Sequence, residues 1–309
     1  MARTAPSNPA ATYGGAGKAS NHLVLFAVVT VLWGLNWPAL KLAVDGFEPW
    51  AFRASVLVAA SLTLFLVGRS LGHACRLPRR VWGAILLPAA MVTAWHMLSA
   101  FGLTYLGGGR AAIIAFTMPL WAALLSIWWL GERMEPRRIG ALALGLVGLS
   151  FLLLDDLARL QAAPIGVGLM LLAALVWAIG TVATKATDWG LSAIVLTAWQ
   201  LGLGAIPVVA IALWRGNPTG LETADLWSWF GLLYTTFVAM VICFCGHIHL
   251  IRLLPATVAA IGIMAIPVVG LVSSALLLGE PLGWPELAAL TFVVGGQALL
   301  FWQPRRAGP

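Results

Sequence analysis

Long apolar runs divided by short polar or charged corners dominate the chain. Ten of them carry little or no charge and are long enough to cross a bilayer, at roughly 22–42, 50–68, 81–104, 110–130, 138–154, 164–185, 190–214, 227–249, 256–278 and 284–303. Within each run the apolar residues are continuous rather than alternating. This predicts helices and argues against the period-two strands of an outer-membrane barrel.

The two halves repeat. Pro119 to Glu132 (PLWAALLSIWWLGE) and Pro267 to Glu280 (PVVGLVSSALLLGE) lie 148 positions apart, and each sets a proline thirteen residues before the glutamate of a Gly-Glu pair. Earlier, VLWGLNWPALK ending at Lys41 matches LVWAIGTVATK ending at Lys185 at an offset of 144, with Trp33 over Trp177. Five spans per half is an odd number, so the copies sit upside down relative to one another, as in transporters built from inverted repeats. The expected fold is an all-α membrane protein of ten transmembrane helices, two inverted five-helix repeats around a central cavity. Residues 1–20 read as a disordered cytoplasmic tail, 21–156 as the first repeat with spans 1 to 5, 157–303 as the second with spans 6 to 10, and 304–309 as a cytoplasmic tail.

Composition agrees. At 61% hydrophobic, 9% charged and a mean hydropathy of +0.94, the 309 residues have too few polar side chains to cover a soluble surface. The net charge of +7 reports topology rather than nucleic-acid binding, because the basic residues are not clustered on a polar domain. With the N-terminus inside, thirteen of the eighteen Lys and Arg fall on the inner side, leaving Lys41, Arg53, Arg110, Arg159 and Arg215 outside; the positive-inside rule therefore places both termini in the cytoplasm. RMEPRR follows the first Gly-Glu and PLGWPE the second, a basic-to-acidic swap that fits corners on opposite sides of the membrane. The first span is too long for a signal peptide, and GGAGKAS lacks the spacing of a phosphate loop. Cys75, Cys243 and Cys245 form no disulfide framework and read as reduced and structural.

Polar groups at mid-depth carry the chemical information in a bilayer, because leaving them unpaired in hydrocarbon costs several kcal/mol. Every Asp and Glu falls in a loop or at a span end, which favours a carrier that lets its substrate run down its own gradient. His96, in TAWHMLSAF of span 3, is the foremost candidate contact; a core histidine bonded to a neighbouring helix is the plain alternative. His247 and His249 are two apart, cannot share one helix face as a metal pair would, and read as interfacial. No metal, cofactor or nucleic acid is expected.

Sixteen tryptophans sort by depth. Ten lie at span ends, as an aromatic belt requires, whereas Trp33, Trp37, Trp95, Trp121, Trp177 and Trp199 lie inside the spans and need polar partners, packing or a watery cavity. A cavity walled by Trp with Asn36, His96, Ser99, Thr117 and Gln200 nearby would suit an amphipathic substrate with a large apolar side chain. Pro119 and Pro267 are repeat equivalents that interrupt their spans, so kinks related by the inverted symmetry could pinch one mouth while the other opens; static bending is the alternative. Arg53 and Arg110 could draw a carboxylate toward the outer mouth or serve simply at the interface.

VLWGLNW in span 1 and the proline-to-Gly-Glu stretches Pro119–Glu132 and Pro267–Glu280 resemble the ten-helix branch of the drug/metabolite transporter superfamily, the EamA-type carriers, across essentially the whole chain beyond residue 20. The Trp-His pair of span 3 with Trp121 and Trp177 looks like the aromatic and neutral amino-acid exporters of the YddG type. That resemblance implies a basket-shaped fold, a cavity formed largely by spans 1, 3, 4, 6, 8 and 9, and export across a bacterial inner membrane.

The chain thus reads as an inner-membrane carrier exporting aromatic and other neutral amino acids by alternating access, as an uncoupled facilitator and a monomer, with no bond made or broken. His96, Trp121 and Trp177 would contact substrate, with Trp33, Trp95, Ser99, Phe101 and Trp199 as further wall candidates. Asn36 and Gln200 would offer amide hydrogen bonds, and Pro119 and Pro267 would shape the gates. The rivals are export of other amphipathic metabolites or drugs, with or without protons, and an intramembrane enzyme, for which the chain lacks a paired-Asp or His-Glu-x-x-His signature.

Overall fold

A computed structural model describes residues 16–105, 114–154, 164–215, 224–263, 265–278 and 283–301, in which regular structure is helical throughout. Span 1 is α1 (Ala16–Gly34) continued after a turn at Leu35 by α2 (Asn36–Gly46). Span 2 is α3 (Pro49–Ser70) and span 3 is α4 (Trp82–Tyr105). Span 4 ends in α5 (Met118–Leu130), and span 5 is α6 (Pro136–Leu154). The second half follows with α7 (Pro164–Ala186) as span 6 and α8 (Ala193–Trp214) as span 7. Span 8 begins as α9 (Leu226–Leu233), widens into a π-helical stretch Tyr234–Phe244 and closes as α10 (Cys245–Leu253). Span 9 is α11 (Ala256–Gly262) plus α12 (Ile266–Leu278), and span 10 is α13 (Trp284–Phe301). The first helix starts at Ala16, inside the stretch expected as tail.

Local chemistry sets these boundaries. Glu48 caps α3 by accepting the amides of Trp50 and Ala51, each at 2.8 Å, with Pro49 in the first turn where no N–H is needed. Ser192 and Asp225 cap α8 and span 8 in the same way. Gly131 of the first Gly-Glu pair closes α5 at φ +64°, a left-handed conformation that favours glycine, which explains that half of the motif. Gly279 and Glu280, the second pair, lie outside the described residues.

Span 4 breaks at Phe116–Thr117, and span 9 breaks between Gly262 and Ile266. Pro119 and Pro267 each stand second in the helix that follows, where the missing N–H is harmless; the ring only prevents the preceding piece from running straight through.

The halves pack with the symmetry of the repeat. Span 3 lies on span 6 as span 8 lies on span 1, span 4 on span 6 as span 9 on span 1, and span 3 on span 7 as span 8 on span 2. Spans 2 and 7 pair across the pseudo-twofold, as do spans 5 and 10. Polar ties fix spans 2 and 3 on span 7: Ser61 Oγ donates to the Ala198 carbonyl at 2.9 Å, and Thr93 Oγ1 to the Gly204 carbonyl at 2.8 Å. Span 8 can close on span 1 because a Cβ at Gly231 would overlap the Ala39 carbonyl and Ala43.

The outer surface is apolar. Leu66, Trp128, Leu213 and Trp214 are exposed, with Trp214 at 87%, as lipid rather than water requires. Among the described residues, six segments have the length and composition to span a membrane, those of spans 1 and 8 running across the turn at Leu35 and the π-helical stretch, and spans 4 and 9 contribute shorter apolar helices. Arg80 with Asp188, and Lys185 with the Arg252 carbonyl, mark one end of the molecule, the arginine-rich face; Glu48 with Arg215 marks the other.

Candidate functional site: a central cavity

Helical spacing aims two rows of side chains at the molecule's centre. Trp33, Asn36, Trp37 and Leu40 of span 1 follow the i, i+3, i+4, i+7 pattern of a single face, and so do Val92, Trp95, His96 and Ser99 of span 3. Both rows line a cavity that spans 4, 6, 8 and 9 also enclose, while span 2 adds Phe52, Arg53 and Val56, and span 7 adds Leu201. Both helix breaks reach it, through Ala115, Phe116 and Met118 on one side and Ile263 and Ile266 on the other. The π-helical stretch contributes Thr235, Met240 and Phe244.

Polar groups are few and coupled. Arg53 Nη1 lies 2.8 Å from His96 Nδ1, and since a guanidinium has no lone pair to offer, it donates and the imidazole accepts. The ring proton then sits on Nε2. Thr235 Oγ1 donates to Asn36 Oδ1 at 2.9 Å, and Tyr234 donates to the Leu32 carbonyl at 2.9 Å beside the bend of span 1. Arg53 is the one charged side chain among the described lining residues, and none of these is a carboxylate.

Toward the arginine-rich face the cavity ends in aromatic rings. Trp177 meets Trp33 at 5.9 Å and Trp95 at 5.2 Å between centroids, and His247 stacks on Trp177 at 5.9 Å and an interplanar angle of 26°. Beyond them is a smaller cavity bordered by Thr181, Thr184, Gln200 and His247 as well as Trp177 and Phe244. The small cavity repeats the large one by symmetry: Trp177 stands for Trp33, Gly180 for Asn36, Thr181 for Trp37 and His247 for Ser99.

Of the residues picked out from sequence, His96, Trp177, Trp33, Trp95, Ser99 and Asn36 come together on the wall of the main cavity. Trp121, Phe101, Trp199 and Gln200 lie elsewhere. Trp121 packs among Ala122, Leu125 and Ala178, its Nε1 buried without a partner among the described residues. Phe101 is exposed beside Trp50, 5.4 Å between centroids. Trp199 donates to the Cys75 carbonyl at 2.9 Å, between the rings of Phe65 and Trp82. Gln200 is buried at the smaller cavity and donates to Thr184 Oγ1 at 3.0 Å. Pro119 and Pro267 are buried at the two breaks. Sequence reasoning left Arg53 open between drawing a carboxylate toward the outer mouth and a plain interfacial role, and passed over Phe244, although the offset of 148 pairs Phe244 with His96. Arg110 lies outside the described residues.

Among proteins of known structure, one superposes with a TM-score of 0.77 at 16% identity, covering 91% of this chain and 97% of its own, and so shares the fold. The transporter YvbV of Bacillus subtilis is 28% identical over 88% of each chain. A probable amino-acid metabolite efflux pump of Escherichia coli is 26% identical over 88% of this chain and 92% of its own. A probable terminal-alkyne amino-acid exporter of Streptantibioticus cattleyicolor is 26% identical over 42% of this chain and 44% of its own. The sequence profile of the EamA-like transporter family matches twice, at residues 21–154 and 164–302, once on each side of the pseudo-twofold, and the chain belongs to that family.

Proposed function

We propose that this multi-pass membrane protein is an inner-membrane exporter of aromatic and other neutral amino acids, with both termini in the cytoplasm, working by alternating access without a coupled ion. The observation that carries the reading is an aromatic-walled cavity enclosed by two symmetry-related broken helices, with no carboxylate among its described lining residues to carry a proton or sodium ion. Trp33, Trp95 and Trp177 offer apolar area to a side chain, while His96, Asn36 and Ser99 offer hydrogen bonds to its polar end. Relatives named for amino-acid efflux support the substrate class. Pro119 and Pro267 would let the pieces of spans 4 and 9 swing at their breaks.

Counterflow in proteoliposomes tests this. Vesicles loaded with unlabelled phenylalanine and offered labelled phenylalanine, with no ion gradient, are expected to accumulate label saturably, and methionine or tryptophan should compete. No exchange above empty vesicles would remove amino acids as the substrate class. Exchange that appears only under an imposed proton gradient would overturn the uncoupled mechanism.

A further inference from the structure

Arg53 is a cation in an apolar cavity with no anion among the described lining residues to answer it. Among the described residues it makes one hydrogen bond, to His96 Nδ1 at 2.8 Å, and has no carboxylate within ion-pair distance. A guanidinium carries five N–H donors in a planar fork, so four remain for a ligand. His96 is itself buried, 8% exposed, and holds the guanidinium from across the gap between spans 2 and 3. Its accepting Nδ1 leaves Nε2–H as a further donor. Asn36 adds donors of the same sense, because Thr235 satisfies its carbonyl and leaves its NH₂ end, while the Ser99 and Thr235 hydroxyls spend their protons on the His96 carbonyl and on Asn36. Donors therefore gather near the Glu48 face, and the Trp33, Trp95 and Trp177 rings gather toward the arginine-rich face.

We propose that Arg53, braced by His96, is the anchor for a substrate carboxylate, and that the cavity selects monocarboxylates with an apolar or aromatic tail, the amino group being dispensable. The inference rests on reading this cavity as the substrate site. A carboxylate bound by the Arg53 fork supplies the missing counter-charge through two parallel N–H···O bonds. The same cavity offers an ammonium no described carboxylate, so that end gains at most neutral hydrogen bonds and ring faces. Deaminated and N-acylated acids should therefore enter as well as the amino acid, whereas amides and amines should not.

Calorimetric titration of the purified full-length protein in detergent tests the assignment with four probes of one ring: phenylalanine, 3-phenylpropionate, phenylalaninamide and phenethylamine. The two carboxylates are expected to bind, and the amide and amine to bind at least about tenfold more weakly, the loss of one charge-assisted pair. Arg53→Gln should cost 3-phenylpropionate about tenfold or more, and Arg53→Lys should recover part of it as a point charge without the fork. If Arg53→Gln does not fold, the four-probe comparison on the wild-type protein decides by itself. Equal affinity for acid and amine, undiminished binding to Arg53→Gln, or no binding of either carboxylate overturns the proposal. The two readings separate cleanly. Arg53-dependent carboxylate binding without phenylalanine counterflow sinks the amino-acid carrier and leaves the anchor, while counterflow of phenylalanine and phenylalaninamide alike sinks the anchor and leaves the carrier.

Discussion

The indole rings of Trp33 and Trp177 meet edge to face, 5.9 Å between centroids at an interplanar angle of 62°, and the two residues are repeat equivalents 144 positions apart. A side chain touches its own counterpart only close to the axis that relates them. The pseudo-twofold therefore passes between these rings, where the larger cavity ends and the smaller one begins.

Trp177 borders both cavities, so shrinking it should be felt in transport. Trp177→Phe is expected to raise the half-saturation concentration for phenylalanine counterflow about three- to tenfold, the range an aromatic contact supports. Trp121→Phe, off the cavity wall, should leave it within about twofold. Equal losses from the two variants would bring Trp121 into the substrate path.

His96 accepts the only described hydrogen bond of Arg53. His96→Phe installs the residue found at the symmetry-related position, Phe244, and leaves the guanidinium without that partner. It should destabilise the detergent-solubilised protein by about 1–3 kcal/mol, read as a lower Tm. His96→Gln, whose amide oxygen can accept, should lose less. An unchanged Tm for His96→Phe would mean that the bond contributes nothing net.

Asp225 caps span 8, accepting Ser228 N–H at 2.8 Å and Ser228 O–H at 2.7 Å. The Ser228 hydroxyl first, and then its amide, hold the carboxyl below its ordinary value. A carboxyl depressed on folding stabilises the fold above its unfolded pKa, and that contribution fades as pH falls through the folded one. Asp225→Ala should therefore melt earlier than wild type at neutral pH, and the gap should close in acid. A gap independent of pH would mean that the charge plays no part in the cap.

Cys75 lies in the loop between spans 2 and 3 beside Arg76, partly exposed, while Cys243 and Cys245 lie within span 8, away from the aqueous reagent. With that arginine-rich face in the cytoplasm, a membrane-impermeant maleimide should label Cys75 only after cells are permeabilised. Labelling of intact spheroplasts would invert the topology.

Depth along a helix is legible in a sequence, and rotation about it is not. The prolines at 119 and 267 announced the breaks, and four of the six tryptophans placed inside the spans do line the cavity. Trp121 and Trp199 sit on spans without a distinct polar stripe, so their few polar neighbours do not say which way they face. Arg53 stayed ambiguous for the converse reason. It is four residues from Pro49, shallow enough to snorkel, yet its helix turns it inward between Phe52 and Val56. The π-helical stretch that brings Thr235 and Met240 to the wall contains neither proline nor glycine and leaves no mark in the chain.

Helix start to helix start, α3 and α8 place Arg53 opposite Thr197, whose hydroxyl donates to the Ala193 carbonyl 2.8 Å away within its own helix. Under the anchor assignment, a scaffold with two equivalent cavities has, among its described lining residues, a cation in only one of them. Substrate approaching from the Glu48 face then saturates the carrier at lower concentration than substrate approaching from the arginine-rich face. With no ion to share the work, the resting point of the exchange stays at equal concentrations on both sides. The difference in affinity must therefore be matched by an opposite difference in maximal rate, a rectified carrier whose direction is still set by the cell's own gradient.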